Sequence, residues 1–101
     1  TGISGSGPAY VFYFMQSMLE AALKMGFSEN DSKILVSSTF EGAVELFNQS
    51  DLTPTSWMNR VASKGGTTRA ALDSMEDNNV KELIKDAAYA AFDRAVELGN
   101  E

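Results

Sequence analysis

A chain of 101 residues suits one domain, long enough to hide roughly two-thirds of its unfolded surface but with little to spare for a second core. Fourteen acidic residues against eight basic give a net charge of -6, which excludes a phosphate-tracking surface and makes DNA, RNA and anionic membrane poor partners. Cysteine and histidine are both absent, which excludes disulfides, thiolate nucleophiles, zinc sites of the usual kind and imidazole catalysis, and leaves hydroxyls, carboxylates, lysines and backbone for any chemistry.

The opening Thr-Gly-Ile-Ser-Gly-Ser-Gly-Pro has neither the basic region nor the apolar run of a signal peptide. The longest apolar run, Pro8 to Met15, is too short to cross a bilayer, so a cytoplasmic protein, or part of one, is expected. Gly5-Ser6-Gly7 is not a dinucleotide loop, because no strand precedes it and a proline stands where that pattern would continue. Pro8 instead suits the first turn of a helix, where its missing N–H is no loss, with Ser6 or Gly7 as the cap.

The first helix is expected from Pro8 to about Met25, closed by Gly26 in a left-handed conformation. Its polar residues Gln16, Glu20 and Lys24 form one line, leaving Tyr10, Val11, Phe12, Phe14, Met15, Met18, Leu19 and Leu23 around most of the remaining surface. One small monomer cannot cover that much apolar area, so the helix is either central to the domain or buried between two copies of the chain. Ser28 with Asp31 resembles a capping box and opens a second helix, about Glu29 to Phe47. Ile34, Leu35, Phe40, Val44 and Phe47 trace its apolar face, and the small residues Ser37, Ser38, Gly42 and Ala43 favour close approach of another helix.

Asn48 to Thr53 is polar connection, and Thr53-Pro54 starts a short third helix, Pro54 to Ala62, whose Trp57 reads as an anchor to the core rather than a binding aromatic. A fourth helix is expected from Thr67 to Met75 or Glu76, broken by Asp77-Asn78-Asn79. Asn79 then caps a fifth, Val80 to Leu98, whose Val80, Leu83, Ile84, Ala87, Ala88, Ala91, Ala95 and Leu98 recur at three and four, with Gly99 as the terminal cap. No segment alternates like a strand, so the fold class is an all-α bundle of four or five helices.

Between the third and fourth helices runs the stretch that carries chemistry. Ser63-Lys64-Gly65-Gly66-Thr67-Thr68 places two glycines and two hydroxyls where a loop becomes a helix. Glycine lets a ligand approach the main chain, and the unpaired first-turn N–H groups sit at the positive end of the helix dipole, suited to a carboxylate or phosphate. Taken alone, the stretch reads first as an ordinary glycine turn before a threonine-capped helix.

Together with its flanks it resembles more. Ser4-Gly5-Ser6-Gly7-Pro8-Ala9-Tyr10, Lys24-Met25-Gly26 and Val61 to Leu72, in that order and separation, are similar to the pyrroline-5-carboxylate reductase family across nearly the whole chain. The resemblance implies that residues 1–101 are the C-terminal helical domain of such a reductase, which entwines with its copy into a homodimer, often within larger rings. It also implies an N-terminal Rossmann domain, absent from this chain, that holds most of the NADPH or NADH, so the fragment alone is expected to be inactive. Carried over position by position, the substrate-binding loop falls on Ser63, Gly65, Gly66, Thr67 and Thr68, which would hold the carboxylate of 1-pyrroline-5-carboxylate, with the Thr68 hydroxyl directed at the ring nitrogen. No metal is implied. Lys64 stands where the family usually has proline, which loosens the loop but adds a cation beside the expected carboxylate site, and Arg69 where it is often apolar, within reach of a contact across the dimer; a solvated surface charge is an equal reading for each. Asp51 aligns only roughly with an acidic residue near the family's site. The alternative from another class is a stand-alone helical interaction module, and the helical half of another dehydrogenase is disfavoured because neither Lys24 nor Lys85 has the surroundings of a catalytic lysine.

Overall fold

The computed structural model describes residue 3, residues 5–63 and residues 66–99. The described residues form five helices and no strand: α1 (Gly7–Lys24), α2 (Glu29–Gln49), α3 (Pro54–Ala62), α4 (Gly66–Asp77) and α5 (Val80–Glu97). The all-α class is therefore as expected. The helices fall into two compact units that part between Asp51 and Leu52, inside the polar connection after α2.

The first unit is the hairpin of α1 and α2. Gly26, at φ 107°, closes α1 with two reversed bonds: its own N–H donates to the Leu23 carbonyl, and the Phe27 N–H to the Ala22 carbonyl, each at 3.1 Å. Only a residue free of Cβ adopts that angle readily, so Gly26 turns the chain as its sequence position requires. Ser28 then opens α2, its hydroxyl accepting the Asp31 N–H at 3.0 Å. The helices meet along one stripe of α2 spaced by four residues. Ser32 and Val36 are buried, and Phe40 lies edge-on to Phe14 of α1 with ring centroids 5.4 Å apart. Ala22 is the buried residue of α1. The Ser32 hydroxyl is fully enclosed and has no hydrogen-bond partner among the described residues. Gly42 was expected to mark a close helix contact, yet a Cβ built there would meet nothing within 4 Å.

Most of the apolar surface predicted for this hairpin remains uncovered. Phe12 and Tyr13 are 65% and 79% exposed, and Met18, Leu23, Ile34, Leu35, Val44 and Phe47 are exposed with them. Within its own hairpin α1 therefore leaves this apolar surface uncovered.

The second unit joins α3, α4 and α5. Thr53 caps α3, its hydroxyl accepting the Ser56 N–H at 3.1 Å, with Pro54 in the first turn. Trp57 is half-buried and carries the Arg60 guanidinium of its own helix 5.2 Å above its ring. In α4, Thr68 and Leu72 share a half-buried stripe at a spacing of four. In α5 the half-buried stripe is Val80, Ala88, Ala91 and Ala95. Leu83 and Ile84, grouped with that stripe on periodicity, are exposed, as are Tyr89, Phe92 and Val96.

Asn79 differs from expectation in its manner of capping. It adopts the left-handed conformation (φ 56°, ψ 35°), and its side chain makes no cap bond to α5. Its main chain serves both neighbours: the N–H donates to the Glu76 carbonyl at the end of α4, and the carbonyl accepts the Leu83 N–H at the start of α5, each at 3.1 Å. Asparagine tolerates this conformation better than other residues bearing a Cβ, which explains its use here.

Two stability measurements check these assignments. Asn79→Ala is expected to lower unfolding free energy by about 1 kcal/mol, while Asn79→Gly holds or raises it; an alanine variant with an unshifted urea midpoint would contradict a left-handed Asn79. Ser32→Ala removes an unpartnered buried hydroxyl and is expected to be neutral or to stabilise by up to about 1 kcal/mol. A marked loss of stability would mean that the hydroxyl has a partner.

Candidate functional site

The site lies where α3 ends and α4 begins. Ser63 terminates α3: its N–H reaches the Asn59 and Val61 carbonyls, and its hydroxyl donates to the Arg60 carbonyl at 2.9 Å. The exposed serine thus has its side chain turned back on the helix it closes. Lys64 and Gly65, the next two positions of the expected loop, lie outside the described residues.

Helix α4 begins at Gly66, one residue earlier than the sequence suggested. This corrects the capping role given to the threonines. Thr67 and Thr68 are the second and third residues of the first turn, and among the described residues their hydroxyls make no hydrogen bond. Gly66 itself has helical backbone angles rather than the left-handed ones that favour glycine. Its contribution is space, since nothing lies within 4 Å of where its Cβ would be.

The consequence is that main-chain N–H groups, rather than threonine caps, stand at the start of α4. The N–H groups of Gly66, Thr67 and Thr68 all belong to the opening turn, where no carbonyl within the helix is available to them. No acidic residue occupies that turn, so no carboxylate of α4 itself competes for the positive end of the dipole. Such a terminus favours a bound negative charge by about 0.3–1 kcal/mol at an exposed position, and up to about 2 kcal/mol where water is partly excluded. Thr67 is exposed, whereas Thr68 is half-buried because it shares its stripe with Leu72. That difference makes Thr68 the better fixed of the two hydroxyls.

Charged groups elsewhere supply less. Arg69 and Asp51 are exposed. Lys85 is paired with Glu82 at 2.9 Å, and its pKa is raised, first by that hydrogen bond and then by the charge of Glu82. A lysine acting as base or nucleophile needs the opposite shift. Among the described residues no group of three or more acidic side chains is placed to hold a metal ion, and no helix is long and apolar enough to cross a membrane.

Comparisons with known proteins place this geometry in context. A family model described as pyrroline-5-carboxylate reductase dimerisation matches residues 1–98. The chain is 39% identical over 101 residues to a pyrroline-5-carboxylate reductase of Pseudomonas aeruginosa, covering 100% of this chain and 37% of that protein. It is 35% identical over 98 residues to pyrroline-5-carboxylate reductase 2 of Bacillus subtilis, covering 97% of this chain and 35% of that one. Among solved structures it is similar to a Plasmodium falciparum pyrroline carboxylate reductase with NADP bound, with a TM-score of 0.94 and 38% identity over 98% of this chain and 38% of the other. The chain therefore spans little more than a third of the length of these relatives.

The conformation of Gly66 can be tested directly. Gly66→Ala should fold and gain about 0.5 kcal/mol in urea unfolding, because alanine suits helical angles and its methyl meets open space. A loss exceeding about 1 kcal/mol would indicate a strained or crowded glycine instead.

Proposed function

The chain belongs to the pyrroline-5-carboxylate reductase dimerisation family, and from that membership we propose that it is the C-terminal helical domain of an NAD(P)H-dependent reductase converting 1-pyrroline-5-carboxylate to L-proline. In this reading it serves proline biosynthesis in the cytoplasm, as an entwined homodimer able to join into larger rings, with a Rossmann domain elsewhere in the full-length protein. The observation that carries the substrate assignment is the opening turn of α4, with three N–H groups beside a half-buried threonine hydroxyl.

The substrate has two polar features, a carboxylate and a ring imine, and the turn has a complement to each. The carboxylate takes the N–H groups of Gly66, Thr67 and Thr68 at the dipole's positive end. The Thr68 hydroxyl hydrogen-bonds the ring nitrogen. Reduction adds hydride to the C=N carbon while the nitrogen gains a proton, so a hydroxyl at that nitrogen orients the ring and steadies the proton as it arrives. A threonine hydroxyl is a weak acid, and its role is positioning.

The reduced nicotinamide supplies the hydride when bound. Among the described residues no strand leads into a glycine loop, and no residue here is assigned to the cofactor.

The direct test follows NADPH oxidation with 1-pyrroline-5-carboxylate in the full-length protein, with the 101-residue chain assayed alongside. Turnover confined to the full-length protein supports the reading; silence from a folded full-length protein contradicts it and leaves a helical interaction module. In the same assay Thr68→Ala should reduce kcat/KM about tenfold, the worth of one well-placed hydrogen bond, with unfolding free energy changed by less than about 0.5 kcal/mol. An unaltered rate would remove Thr68 from the mechanism. Phe12→Asp should convert the dimer to monomer in sedimentation, since an unpaired charge is costly in an apolar interface. A dimer of unchanged mass would place the interface elsewhere.

A further inference from the structure

We draw no further inference here: the strongest candidate, the exposed apolar surface of the α1–α2 hairpin around Phe12, Tyr13 and Ile34, restates the pairing of two copies for which the domain family is named.

Discussion

The helices of this chain carry more apolar surface than the chain itself can cover. Among the described residues the buried apolar side chains are Ala22, Val36 and Ala62, two of which are single methyl groups. Burying a large apolar side chain contributes about 1.5–3 kcal/mol, whereas ordering each residue's backbone costs about 1–2 kcal/mol. Two alanines and a valine are a small share of the apolar area these five helices carry, and Leu19, Phe40, Trp57 and Leu72 are only half-buried. Phe12, Tyr13, Ile34, Val44, Phe47, Leu83, Ile84, Tyr89 and Phe92 hold the missing contribution, and all are exposed within the single chain. A second copy is the covering surface that the family relationship points to.

Local chemistry at the helix ends is firm by comparison, and it locates the site. Gly26, Ser28, Thr53, Asn79 and Gly99 fix where helices stop and start through bonds that need no partner chain. The close of α3 at Ser63 belongs to this set, and the candidate turn at the start of α4 follows it. Its half-buried Thr68 is held by the same stripe that packs α4 through Leu72. The ends of these helices thus rest on main-chain geometry, while much of the apolar surface remains exposed.

This division also explains what could be read from the sequence. α3 was expected at Pro54 to Ala62 and lies there, and α1 and α2 differ from expectation by a residue or two at their ends, because proline, glycine and hydroxyl caps act over three or four residues. The start of α4 was misplaced by one residue because Gly66 looked like a turn residue and its helical angles depend on context. Asn79 was recognised as a boundary, but its left-handed backbone is set by two helices meeting there, which a one-helix capping rule does not contain. Periodicity identified apolar residues on α5 without distinguishing the alanine stripe that packs from Leu83 and Ile84, which remain exposed. Glycine and helix-end physics singled out Gly65, Gly66, Thr67 and Thr68 as a possible anion site but favoured an ordinary turn, and the substrate came only from motif order across the chain.

The most direct measurement is the mass of the unaltered 101-residue chain in solution by sedimentation equilibrium. The account predicts a dimer of twice 10.9 kDa that dissociates only together with the loss of helical signal, because the exposed apolar faces need one another to stay folded. A stable, fully helical monomer at micromolar concentration would contradict it.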